Sequence, residues 1–150
     1  MDQLPGGLEL QEGFDHNFMP IKRLEPWETH ENLGCNKCPS MNQTTQFEIL
    51  RDKIATWSHR VNSSPLTHLD SLQAYNAYLE KTVTYVLPTT SFTYKQCAEL
   101  NKYLSPTLLN INGIQRNCDR NVIYAGNEYG ALGYTPIYHL QGQAKLTLNA

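Results

Sequence analysis

The sequence has no apolar run approaching the ~20 residues that a membrane-spanning helix requires. A membrane-spanning protein is therefore not expected. Its opening residues, Met1-Asp2-Gln3-Leu4-Pro5-Gly6-Gly7, carry neither the basic stretch nor the apolar stretch of a secretory signal, so the expected location is intracellular. A large net charge is also missing: the formal value is −2, with three Lys/Arg against seven Asp/Glu in residues 1–43 and eight against six in residues 44–120. A chain that holds nucleic acid by charge alone needs a strongly basic face, and this one is only mildly basic in its middle. There is no G-x-G-x-x-G, no Gly-Lys-Ser/Thr and no internal repeat, which removes the phosphate-cradling loops and solenoid architectures. What is present is 150 residues, enough for one core, with a hydrophobic share of 40% that sits below the globular average of about 45–50%.

Cysteine is scarce as well, with four in all and one close pair, Cys35-Asn36-Lys37-Cys38. A structural zinc commonly takes two close pairs, because one supplies only half of the tetrahedron. Cys97 and Cys118 are 21 residues apart, and the five histidines form no His-x(3–5)-His. A site of His30, Cys35, Cys38 and one remote ligand can be drawn, but spacing does not single it out. A redox dithiol should open a helix that lowers its thiol pKa, whereas Cys38 is followed by Pro39 and the polar run Ser40-Met41-Asn42-Gln43. The preferred reading is a turn from Gly34 to Pro39 that ends a strand.

Hydrophobic spacing organises the rest. Leu8-Glu9-Leu10 and Phe18 to Leu24 are short extended candidates, broken by Gly6-Gly7, Gly13 and Pro26. From Thr44 the period becomes helical, with Phe47, Leu50, Ile54, Trp57 and Val61 on one stripe and Thr44 or Thr45 as a cap. Asn62-Ser63-Ser64-Pro65 ends that helix, and Thr67 with Asp70 makes a capping box for a second, antiparallel helix. Its stripe is Leu69, Leu72, Tyr75, Tyr78, Leu79, Val83 and Val86, closed by Pro88. A third helix uses Tyr94, Cys97, Leu100 and Leu104, so Cys97 reads as a core residue. Pro106 to Ile111 is expected to be a separate short helix capped by Asn112-Gly113. Asn121-Val122-Ile123-Tyr124 reads as a strand, Tyr129 to Tyr134 as a tight loop, and Ile137 to Leu148 as a helix. Most of the nine tyrosines, Tyr75, Tyr78 and Tyr94 among them, fall on apolar stripes and are assigned to packing.

The order of these pieces resembles the region after the catalytic palm in reverse transcriptases of non-LTR retroelements. Leu33-Gly34 matches a strand-ending Leu-Gly pair, and Cys35 through Asn42 its hairpin turn. Phe47 through Val61 matches a Trp-bearing helix, Ser63-Ser64-Pro65-Leu66 a linker, and Tyr85-Val86-Leu87-Pro88 a "Y-x-L-P"-like helix end. "FTYKQCAELNKYLSPTLLNINGIQRN" and "YGALGYTPIYHLQGQAKL" continue the similarity to about residue 146, with Ala131 where that family often has a second glycine.

The resemblance implies an α+β, mainly α fold: a small amino-terminal β-hairpin element followed by a three- or four-helix thumb-like bundle. It divides the chain into an end-of-palm and primer-grip element (1–43), a thumb-like bundle (44–120) and a truncated post-thumb segment (121–150). The implied partner is an RNA/DNA primer–template duplex, with Leu33 and Gly34 as primer grip and Arg51, Lys53, Arg60, Lys95 and Lys102 toward its backbone; the plainer readings are an ordinary hairpin glycine at Gly34 and a solvated helix surface at the five cations. Polymerisation by such enzymes uses magnesium held by palm carboxylates, and the sequence contains no Asp-Asp pair; Asp15, Asp52, Asp70 and Asp119 are isolated. The expectation is a positioning fragment with no catalytic residue and no cofactor of its own. The alternative is a non-catalytic helical module for protein–protein interaction.

Overall fold

The computed structural model describes residues 9–12, 17–20 and 25–148. Leu8, and residues 21–24 of the second extended candidate, lie outside the described residues. Two antiparallel hairpins come first. Strands β1 (Glu9–Glu12) and β2 (Asn17–Pro20) pair from Glu9 opposite Pro20 to Glu12 opposite Asn17. Strands β3 (His30–Asn32) and β4 (Cys35–Lys37) pair from His30 opposite Lys37 to Asn32 opposite Cys35. The rest is helical, so the fold is α+β and mainly α.

Helix α1 (Thr44–Ser63) buries the whole expected stripe, Phe47 through Val61. Its start is arranged differently from expectation: Thr44 is the first helical residue, and Asn42 Oδ1 accepts the Thr44 N–H at 3.0 Å. The second rod comprises α2 (His68–Ala74), a π-helical turn over Tyr75–Leu79, and α3 (Glu80–Val86), ending in a 3-10 turn at Leu87–Thr89. Thr67 and Asp70 form the capping box, each satisfying the other's backbone N–H. The π turn shifts the helix phase, so the periodicity of the sequence misplaces two residues. Leu69 is 72% exposed and Tyr78 is also exposed, while Leu79, Val83 and Val86 are buried.

Helix α4 (Tyr94–Ile111) is continuous through Pro106, in contrast to the two helices that its sequence predicts. An interior proline costs about 3 kcal/mol because it withholds one N–H and crowds the preceding turn. Leu100, Leu104, Leu108, Leu109 and Ile111 are all buried, at roughly 1.5–3 kcal/mol each, and that sum outweighs the penalty. Ser105 Oγ also donates to the Asn101 carbonyl at 2.6 Å just before the proline.

A nearly constant offset ties α1 to α4. Ser91 N–H donates to Gln43 Oε1, Phe47 meets Phe92 edge to face, Ser58 Oγ donates to the Tyr103 carbonyl and Asn62 Nδ2 to Thr107 Oγ1. The two helices therefore run parallel, and the rod between them runs back. Residues 121–124, read as a strand, form instead the one-turn helix α5 (Asn121–Tyr124). Among the described residues no strand pairs with them. Asp119 Oδ1 accepts the Asn121 N–H, and the loop at Leu132, Gly133 and Tyr134 returns to donate to the carbonyls of Val122, Ala125 and Ile123. Ile123 and Ile137, the latter opening α6 (Ile137–Leu148), enter the same hydrophobic core as α1 and α4.

Candidate nucleic-acid interface

The β3–β4 hairpin turns on two residues, Leu33 and Gly34, with φ of 49° and 77°. A two-residue turn needs positive φ at both positions to match the strand twist, and glycine meets that demand freely. Leucine does not, because its Cβ crowds the following carbonyl by about 1–2 kcal/mol. Leu33 is nevertheless 84% exposed, so no burial of its side chain offsets the strain.

The hairpin is pinned to the helices at two points. Tyr85 Oη donates to the Leu33 carbonyl at 2.5 Å, and Asn36 N–H donates to the buried Gln46 Oε1 at 2.6 Å. The Cys-x-x-Cys falls into this arrangement differently from the expected single turn. The reversal lies at Leu33-Gly34, Cys35 is buried on the return strand, and a second bend follows at Pro39-Ser40. Cys38 Sγ lies 3.3 Å from the Pro26 carbonyl and 3.0 Å from Ser40 Oγ, while Ser40 N–H donates to that same carbonyl. Among the described residues no group of three or more His, Cys, Asp or Glu side chains is gathered to hold a metal ion. Asp52 lies 3.5 Å from Arg51, Asp70 caps α2 and Asp119 Oδ1 accepts the Asn121 N–H. Among the described residues these three carboxylates are not gathered into one group.

The five basic residues fall into separate places. Arg51 is partly covered and drawn toward Asp52. Lys53 and Arg60 stand on the outer face of α1 and line an open groove of about 400 Å³ with Thr56, Trp57 and Tyr78. Lys95 and Lys102 line a second groove, of about 580 Å³, on α4. Neither groove includes Leu33 or Gly34. Sequence reading missed the residues that fix the hairpin, Gln46 and Tyr85. Tyr85 carried a signal, an aromatic residue out of phase with the stripe of its helix, and Gln46 carried none.

A third cleft, of about 290 Å³, opens between the π turn and the loop of Leu132 to Thr135, where Tyr75 and Tyr134 meet edge to face beside Glu80. Burial is the main cause that pushes both phenols above their ordinary pKa, and the Glu80 carboxylate adds to it; for Tyr134 a hydrogen bond with Asn112 opposes the rise. Their folded-state pKa values lie above the unfolded ones, so the stability they contribute is complete below the unfolded phenol value of about 10 and is lost as pH rises beyond it. Alkaline titration is expected to unfold the protein cooperatively above about pH 10, with the last of the tyrosinate absorbance, that of the buried phenols, rising together with the loss of helical circular dichroism. Ionisation completed while the helices stay intact would contradict the burial of Tyr75.

Among the described residues no helix is long and apolar enough to cross a membrane. No protein-family model, curated protein or solved structure matches the chain.

Proposed function

We propose that this chain contributes primer and template positioning to an RNA-directed DNA polymerase of the non-LTR retroelement type, the chemistry belonging to palm carboxylates that its sequence does not contain. The observation that carries the reading is the hairpin tip. An exposed leucine in left-handed backbone gives the fold no stability, and strain of this kind concentrates where a contact is made with something outside the chain. Beside it Gly34 offers bare main chain that a nucleic-acid backbone can approach, and the Tyr85 and Gln46 hydrogen bonds hold the tip at a fixed angle to the helices.

The groove on α1 supplies the second part. Lys53 and Arg60 are seven residues apart, about 10 Å along the helix and close to three base-pair steps of a duplex, which suits contacts to phosphates of one strand. Asp52 within the same groove limits the attraction, consistent with positioning rather than tight capture. The order of sequence features from Leu33-Gly34 to Gln141-Gly142 supports the family assignment.

The test is binding of a blunt RNA–DNA hybrid by fluorescence anisotropy. The double variant Lys53→Gln/Arg60→Gln is expected to lose about tenfold in affinity near 0.1 M salt and to flatten the dependence of log K on log salt by about 1.8. Gly34→Val is expected to weaken binding without altering that slope. An unchanged affinity in the double variant would remove α1 from the interface. A stoichiometric protein partner bound by a chain with no hybrid affinity would favour the interaction-module reading.

A further inference from the structure

The tyrosines do not go where the sequence assigns them. Tyr75 is buried, but Tyr78, Tyr85, Tyr94, Tyr103, Tyr129 and Tyr138 are all exposed. Two of these six flank one face of α4 from opposite sides. Tyr94, 69% exposed, and Tyr103 mark the ends of a groove whose middle holds Lys95, Ala98, Glu99 and Lys102. An adjoining groove shares Ala98 and Lys102 and continues to Arg120 and Tyr124, whose hydroxyl is 2.9 Å from Ser105 Oγ. At the other end Tyr94 meets Tyr138 of α6 edge to face, with ring centroids 5.5 Å apart. The result is a surface of two adjoining grooves that carries both aromatic rings and cations.

Resting on the reading above, we propose that this face of α4 is a stacking track for single-stranded nucleic acid, the unpaired strand adjoining the duplex. Charge complementarity points to a polyanion. Lys95, Lys102 and Arg120 have no carboxylate within 4.0 Å among the described residues, and Glu99 is the one acid lining the two grooves. The rings select the single strand. Bases inside a duplex are already stacked on each other, whereas an unpaired strand presents π-faces that tyrosine can cover, a contact that tolerates any sequence. From Tyr94 to Tyr103 the helix rises about 13 Å, room for a few nucleotides, at the low end of known single-strand site sizes. Three phosphate contacts predict a slope of log K on log salt of about −2.

The experiment uses the full chain with a labelled oligothymidylate and, in parallel, a blunt RNA–DNA hybrid of the same length. Tyr94→Ala/Tyr103→Ala is expected to weaken the single strand tenfold or more while leaving the hybrid unchanged. Tyr94→Phe/Tyr103→Phe, which keeps the rings, is expected to retain single-strand affinity, and Lys102→Gln to flatten the salt slope by about 0.7. Circular dichroism confirms that each variant is folded. Single-strand affinity untouched by the alanine pair, or lost equally in the phenylalanine pair, would overturn the track. Hybrid binding without any single-strand binding would sink the track and spare the duplex reading. Single-strand binding without hybrid binding would do the reverse.

Discussion

Replacing Gln141 by leucine is expected to destabilise the protein by about 2–6 kcal/mol, read as a shift of the urea midpoint followed by circular dichroism. Gln141 is buried in α6 and makes a two-point contact with one residue: its Oε1 accepts the Phe92 N–H at 2.9 Å and its Nε2 donates to the Phe92 carbonyl at 3.1 Å. Phe92 lies between the second rod and α4, outside any helical ladder, and it is buried too. Leucine fills a similar volume but leaves a buried donor and a buried acceptor unpartnered, at about 1–3 kcal/mol each. A loss below about 1 kcal/mol would mean that water reaches the Phe92 backbone and that α6 is not clamped there.

Leu100→Ala is expected to cost about 2–5 kcal/mol, because Leu100 is completely enclosed between α4 and its neighbours and the cavity left behind cannot fully collapse. Leu69→Ala, on a helix that the same reasoning treats as equally apolar, is expected to change stability by no more than about 0.5 kcal/mol. The contrast separates periodicity from packing. Equal losses at the two positions would contradict the phase shift that the π turn introduces at Tyr75–Leu79.

Much of the fold was legible because it depends on local rules. The α1 stripe, the Thr67 and Asp70 box, the core position of Cys97 and the Gly113 cap at φ 69° follow from helical spacing and from backbone demands that single residues announce. What was not legible depends on tertiary partners. Pro106 reads as a break until the burial of Leu100 to Ile111 is known, and residues 121–124 read as a strand until the returning loop takes up their carbonyls. Tyr94 fell on a stripe by counting, yet α4 turns its Cys97, Leu100 and Leu104 side inward and leaves Tyr94 outside.

The candidate interface shows the same division. Leu33-Gly34 was marked by sequence, but the strain at Leu33 and its latch to Tyr85, 52 residues away, are three-dimensional facts. The basic residues were each visible in the sequence. Their sorting into an α1 groove and an α4 groove was not, since it depends on which helical faces the core consumes.

The most direct measurement is the affinity of the unmodified chain for a blunt RNA–DNA hybrid across a salt series from about 50 to about 200 mM. With Lys53 and Arg60 each neutralising one phosphate, the predicted slope of log K on log salt is about −1.8, a loss of roughly twelvefold across that range. No saturable binding at the lowest salt, or an affinity that salt does not change, would contradict the positioning role.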